Sequence, residues 1–304
     1  MTKLLIIAGP TGVGKTKFAV DAAHKFNGEI ISADSRQVYR GMDIVTGKDR
    51  ELISNSGIPV WLCDLVNPDE SFSVSLWHQA SIKAIADIHR RGKLPIIVGG
   101  TGLYIRSLTE NLKNIHIPPD PVLRQQLSSL SIDELLSRLE QMNPISANSL
   151  NSSDHHNPRR LIRAIEIAIY TNKTSPPLTA SDASHRLELR EGLGVSYLVL
   201  TAPIPVLKQR ISARVSSRLS QGAILELNHL ITQYSSNLPA FTACGYRSLL
   251  ISSDPDNWIR SEFQYARRQL TWFKKYCPDN WIDTSLPGWE ASSLKLIDNW
   301  YNST

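Results

Sequence analysis

The octet GPTGVGKT, comprising Gly9, Pro10, Thr11, Gly12, Val13, Gly14, Lys15 and Thr16, fits the spacing G-x-x-x-x-G-K-[ST]. Glycines at this spacing let successive backbone N–H groups wrap an anion, and a helix starting just after them adds its dipole. Lys15 supplies a positive charge, and the Thr16 hydroxyl can bind a metal that accompanies phosphate. The loop implies a diphosphate or triphosphate ligand without specifying ATP. Downstream, the short apolar run EIIS leads to Asp34. In an open parallel sheet the carboxyl ends of the strands border the ligand crevice. Spacing alone leaves three roles open for Asp34: a base, a magnesium ligand, or the cap of the next turn. A nucleoside triphosphatase would place a further acid at a strand end to hold metal and position water. The run LPIIVGGTGLY offers Thr101 there and no acid.

Arginines form the next set. In LKQRISARVSSRLSQG, Arg210, Arg214 and Arg218 recur every fourth residue, which puts them on one helical face. Such a stripe either clamps phosphate oxygens, as guanidinium does well, or is a solvated surface. Arg159 and Arg163 make a second pair at the same spacing, with Arg160 beside them. YARRQLTWFKKY mixes four cations with aromatics, a composition that suits both nucleic-acid contact and core packing. His155 and His156 have no partner at metal-ligand spacing.

These groups need a scaffold. KLLIIAG and LPIIVGG are continuous apolar runs of the kind found in strands buried on both faces, and EIIS is a shorter one. Lys15 to Phe26 puts Phe18, Ala22, Ala23 and Phe26 on one helical face, and SVSLWHQASIKAIADIHRRGK does so with Trp77, Ala80, Ala84 and Ile88. Strands alternating with helices predict an α/β fold, a P-loop NTPase-like doubly wound parallel sheet. After Leu112 the pattern turns helical. NPRRLIRAIEIAIYT starts with a capping Asn157 and Pro158 and has Leu161, Ile165 and Ala168 on its apolar face. SYLVLTA then returns to the sheet, and the C-terminal third reads as helical with an aromatic-rich tail. The expected organisation is a core domain of residues 1–113 and 191–304 with an inserted all-helical domain, 114–190.

Lysine and arginine total 33 against 28 acidic residues, a net charge of +5 that permits an anionic partner without requiring one. No apolar run is long enough to cross a bilayer and no leader precedes the first strand, so the expected location is cytoplasmic. Cys63, Cys244 and Cys277 are far apart, without a CxxC pair, and read as reduced and mostly buried thiols.

The segments GPTGVGKT, ISADSRQVYRGMDI, VNPDESFSV, IIVGGTGLYI, RRLIRAIEI, CGYRSLL and RRQLTWF occur in the order seen in tRNA dimethylallyltransferases, and the chain resembles that family from about residue 4 to 275. The resemblance implies transfer of the dimethylallyl group of dimethylallyl diphosphate to the N6 amine of an adenosine 3′-adjacent to the anticodon of tRNA. On this reading the loop binds the isoprenoid diphosphate. Asp34 matches the general base, Lys15 and Thr16 match diphosphate ligands with Mg2+ at Thr16, and Arg214 matches an arginine on the leaving group. Asp34, Ser35, Arg36 and Gln37 fall where the family meets the target nucleotide. Thr101, Arg124, Arg159, Arg160, Leu161, Ile162, Arg163, Thr242, Ala243, Cys244, Gly245, Tyr246 and Arg247 match further tRNA-contacting positions. The insertion is expected to grip the anticodon stem, and the enzyme to act as a monomer away from membranes. The chain departs from the family pattern at Val45 and Gly47 (VTGK for GTAK), at Val60 to Leu62, at Asn157 and at Arg218. The rival readings are an adenylate isopentenyltransferase acting on free adenine nucleotides, a P-loop small-molecule kinase, and a non-catalytic nucleotide-binding RNA chaperone.

Overall fold

The continuous apolar runs become the middle of a parallel sheet. In the computed structural model, which describes residues 2–110, 112, 114–115, 117–173, 193–277 and 280–303, the strands are β1 (Thr2–Ala8), β2 (Gly28–Ser32), β3 (Val60–Trp61), β4 (Leu94–Gly99), β5 (Leu193–Thr201) and β6 (Trp281–Asp283). Their order is β3-β2-β4-β1-β5-β6, and every pairing is parallel. Leu5, Ile6, Ile7, Ile31, Ile96 and Ile97 are fully buried, as a sheet covered by helices on both faces requires. β5 begins at Leu193, earlier than SYLVLTA suggested. β3 and β6 extend the two sheet edges, β6 within a segment expected to be helical.

The chain divides into two compact units, Met1–Glu110 with Arg190–Thr304, and Asn111–Leu189. In the first, α1 (Lys15–Lys25) buries Phe18, Ala22 and Ala23. After α2 (Arg50–Ser56) comes α3 (Val74–Arg90), started by Ser73, whose side chain accepts from Leu76 N. α3 buries Trp77, Ala84 and Ile88, while Ala80 is half-buried. α4 (Gly102–Thr109) follows β4 directly.

The second unit holds α5 (Pro121–Leu127), α6 (Ile132–Met142), α7 (Pro144–Asn148), α8 (Ser152–His155) and α9 (Pro158–Lys173). Its core is Leu123, Leu127, Leu135, Leu139, Leu161, Ile165 and Ala168, the α9 part of which is the stripe read from spacing. Asn157 caps α9, its Oδ1 accepting from Arg159 N at 3.1 Å. Part of the predicted insertion, residues 174–190, lies outside the described residues.

The first unit then continues with α10 (Ile204–Ser220), α11 (Ala223–Gln233), α12 (Cys244–Ile251), α13 (Pro255–Tyr276) and α14 (Trp289–Asn302). No described helix is long and apolar enough to cross a membrane.

The ends of β2 and β4 approach so closely that a side chain cannot enter. A Cβ on Gly99 would overlap the carbonyl of Ala33. The same carbonyl accepts from Thr101 N at 3.1 Å, and Ala33 N donates to Val98 O at 2.7 Å. Asp34 is thereby held at the carboxyl edge of the sheet. Gly99→Ala is expected to lower stability by about 2–3 kcal/mol, the usual cost of overpacking where backbone must move. Urea unfolding checks this, and an unchanged midpoint would show that the two strand ends are free to part.

Candidate functional site

A cleft of about 1110 Å³ opens along this edge, lined by the loop Thr11–Phe18, by Asp34–Gln37, by Asp43–Gly47, and by Arg210, Arg214 and Arg218. All of these belong to the first unit. The loop joins β1 to α1, so the helix N-terminus faces the cleft and favours an anion there. Lys15 Nζ donates to Pro10 O at 2.7 Å. Burial pushes its amine down to about 7, with Arg214 acting in the same direction and Asp34 and Asp49 opposing it. The Thr16 hydroxyl makes no hydrogen bond to a described residue, and Thr16 and Asp34 line the same cleft. No cluster of three or more His, Cys, Asp or Glu exists among the described residues. A free hydroxyl in a cleft that also holds carboxylates such as Asp34 is an oxygen donor set that suits a hard divalent cation completing its shell from phosphate and water.

Asp34 has a local partner as well as a place in the cleft. Its Oδ1 accepts from Arg36 N at 2.8 Å, so the turn-capping role weighed from spacing is realised. Among the described residues no side-chain cation pairs with it. Its loop is pinned from below. Ser35 N donates to Thr101 Oγ1 at 3.0 Å, and Arg36 Nη1 to Pro239 O at 2.8 Å. Ser32 Oγ donates to Gln37 Oε1 at 2.8 Å, and Gln37 Nε2 to Gly47 O at 2.9 Å. Thr101 therefore lies behind the Asp34 loop and supports it.

The arginine stripe on α10 is not a solvated face. Arg210 donates to Thr284 Oγ1 at 2.7 Å and Thr284 O at 2.9 Å, which ties it to the chain just after β6. Arg214 Nη1 donates to Thr11 Oγ1 at 2.5 Å, beside the anion loop. Arg218 is buried and paired with Glu262 of α13 at 3.2 Å. Burial and the neighbouring Arg214 push Arg218 down to about 10. Burial acts to raise the Glu262 carboxyl, but Arg218 and Arg214 outweigh it and hold it below its ordinary value.

The remaining expected contacts divide by exposure. Arg159, Thr242 and Arg247 are exposed. Arg160 is exposed and paired with Asp154. Arg124 donates to both oxygens of the buried Glu166 at 2.6 and 2.8 Å. Arg163 donates to Glu166 and to the carbonyls of Asn114 and Ile117. Ile162 and Cys244 are half-buried and Ala243 is buried. Three further expected positions are buried. Leu161 is fully buried in the helical core, on the face of α9 that packs against α5 and α6. Tyr246 is fully buried, and its hydroxyl donates to Glu226 Oε1 at 2.5 Å. Glu226 in turn accepts from the backbone of Asp43, Ile44 and Val45, so Tyr246 secures the loop that borders the cleft. Gly245 is buried against Val45 and Trp258, and with Thr242, Ala243 and Cys244 it lines the cleft. The three thiols, expected to be mostly buried, are half-buried.

Sequence reading missed Gln269 and Glu262. Gln269 Oε1 accepts from Thr11 N at 2.9 Å and its Nε2 donates to Gly100 O at 2.9 Å, so one side chain joins the anion loop to the end of β4. Gln269 lies inside RRQLTWF, where cations and aromatics drew attention. Its signal is the spacing of Trp258, Glu262, Ala266 and Gln269, the buried face of α13.

A family model described as IPP transferase matches residues 37–276. The chain is 37% identical over 310 residues to the tRNA dimethylallyltransferase of Exiguobacterium sp., covering 98% of this chain and 96% of the relative. It is 39% identical over 289 residues to that of Anoxybacillus flavithermus, covering 92% and 90%. Among solved structures, a full-length tRNA isopentenylpyrophosphate transferase from Bacillus halodurans aligns with TM-score 0.69 and 33% identity over 99% of this chain and 97% of that one. A eukaryotic dimethylallyltransferase captured acting on tRNA aligns with TM-score 0.77 and 26% identity over 99% and 79%.

The depressed Lys15 amine has a measurable consequence. At about pH 8 it is largely neutral in the free protein, and a diphosphate in the loop restores the proton. Binding of inorganic diphosphate should therefore take up to about one proton per site. Calorimetry in buffers of different ionisation enthalpy measures this, and Lys15→Met should abolish the uptake. Binding without uptake in the parent would mean that Lys15 is already charged.

Proposed function

Because the chain belongs to the IPP transferase family, we propose that it moves the dimethylallyl group of dimethylallyl diphosphate onto the N6 amine of the adenosine 3′-adjacent to the anticodon in tRNA, releasing diphosphate. The observation that carries this reading is the shared cleft. Lys15, Thr16 and Arg214 collect around an anion site, and Asp34 borders the same space.

The exocyclic amine of adenine is a weak nucleophile because its lone pair is delocalised into the ring. Asp34 accepts an N–H hydrogen bond from it, which raises electron density on nitrogen as the new bond to C1 of the allylic group forms. The C1–O bond breaks, its electron pair leaves with the diphosphate, and the amine proton passes to Asp34. The loop N–H groups, Lys15 and Arg214 stabilise the charge that develops on the leaving oxygens. Magnesium, held by Thr16 and the diphosphate, would add neutralising charge to that same group.

The target base must leave its stack to enter the cleft, and Ser35 to Gln37 shape the space beside Asp34. We assign the Asn111–Leu189 unit to the anticodon stem. Exposed Arg159 and Arg160, with Arg124, supply its phosphate contacts. We take the enzyme to act as a monomer, and the tRNA substrate supports a cytoplasmic location. A kinase is disfavoured because β4 runs into Gly100 and Thr101 without a carboxylate.

The test is incubation with dimethylallyl diphosphate and, in turn, unmodified tRNA, AMP and ADP, with mass spectrometry for a prenylated adenine. Prenylated tRNA is expected. Prenylated AMP without prenylated tRNA would overturn the substrate assignment, and ATP turnover without any prenyl product would favour the kinase. Asp34→Ala should reduce kcat by about 10²–10⁴-fold, the usual share of a general base, with tRNA binding retained. An unchanged rate would remove Asp34 from the mechanism.

A further inference from the structure

In the wall of the cleft lies a charged pair that the transfer chemistry does not use. Arg218 is 5% exposed and Glu262 is 6% exposed. Arg218 Nη1 lies 3.2 and 3.4 Å from the two oxygens of Glu262, and Trp258 Nε1 donates to Oε2 at 2.8 Å. A buried ion pair is a poor source of stability, because desolvating both charges offsets their attraction, and apolar residues of similar volume often serve as well.

The remaining contacts of Glu262 lead into the site. Thr11 Oγ1 donates to Glu262 Oε1 at 3.2 Å and accepts from Arg214 Nη1 at 2.5 Å. A hydroxyl carries one proton, a carboxylate only accepts, and a guanidinium only donates. Both bonds therefore exist for a single direction of the Thr11 O–H, the one that points to Glu262 and turns a lone pair toward Arg214. Both guanidinium groups also lie over Gly47. A Cβ there would overlap Nη2 of Arg218 and of Arg214. Gly47 has φ of 66°, a left-handed conformation that also disfavours any side chain.

We propose that Arg218 and Glu262 form a positioning pair for the leaving-group anion: through the Thr11 hydroxyl they fix the direction in which Arg214 presents its guanidinium to the cleft. Arg218 and Glu262 touch no reacting atom. Their effect reaches the anion through Thr11 and Arg214. The inference rests on the proposed reading of the site as one that binds a diphosphate.

Two double variants separate positioning from mere packing. Arg218→Met with Glu262→Met removes both charges at similar volume, so no charge is left unpaired, but it deprives Thr11 of its acceptor. Arg218→Met with Glu262→Gln also removes both charges and keeps a carbonyl for Thr11. The probe is inorganic diphosphate, titrated by calorimetry, with KM for dimethylallyl diphosphate and for tRNA measured alongside. The first double variant should fold and bind diphosphate about tenfold more weakly, the loss of one hydrogen bond to a charged group. The second should recover to within about threefold of the parent. KM for the allylic diphosphate should rise in parallel, with KM for tRNA much less affected.

Equal diphosphate binding by the first variant and the parent would overturn the proposal. Thr11→Val covers the case in which the first variant does not fold. It breaks the same relay at the loop, should reproduce the tenfold loss, and overturns the proposal if it binds diphosphate as the parent does. Diphosphate binding by a parent that prenylates nothing would sink the transfer reading and leave this relay standing on its own result.

Discussion

Lys15, Arg214, Arg218 and Asp34 all border one cleft, and each is engaged with a group other than these. Lys15 folds back onto the carbonyl of Pro10, Arg214 donates to Thr11, Arg218 is taken by Glu262, and Asp34 accepts the N–H of Arg36. This separation keeps a positive anion site and a negative base side by side. An arrangement already set before ligand arrives requires little reorganisation during the reaction. The Asp34 loop also depends on structure outside the cleft, since Trp77 Nε1 donates to Ser32 O from α3.

The sheet supplies the precision. β1 pairs with both β4 and β5, so the anion loop leaves the centre of the sheet and is gripped from either side. Gln269 and Glu262 reach that loop from α13, and Arg214 reaches it from α10. Both helices come from the part of the chain that follows the second unit. The site is thus complete only when residues more than 250 positions apart, such as Thr11 and Gln269, have met. Aromatic packing carries part of this closure. Phe273 is fully buried, whereas Trp272 is half-buried and lies where a Cβ on Gly102 would be.

What could be read from the residues follows from the range of the forces involved. The central strands announce themselves because burial on both faces demands continuous apolar runs, and α1, α3 and α9 because one buried face imposes helical spacing. β3 and β6 span only Val60–Trp61 and Trp281–Asp283, too short for any period. They exist because neighbouring strands offer hydrogen bonds, which no local pattern encodes. The anion loop and Asp34 were legible because their chemistry is local. The arginine stripe was legible as a stripe, but whether it faced water or protein depended on Glu262 and Thr284. Tyr246 and Leu161 illustrate the converse: a segment can match a binding pattern while some of its side chains are buried, which only the packed fold reveals.

Gly47 ties two apparently separate features of the sequence into one. With two guanidinium groups resting over its Cα, its lack of a side chain is a condition for Arg218. A side chain at 47 would have to displace both guanidinium tips and adopt a left-handed backbone, so the two positions constrain each other. A substitution at either is not neutral or harmful on its own terms, because its effect is set by what the other position holds.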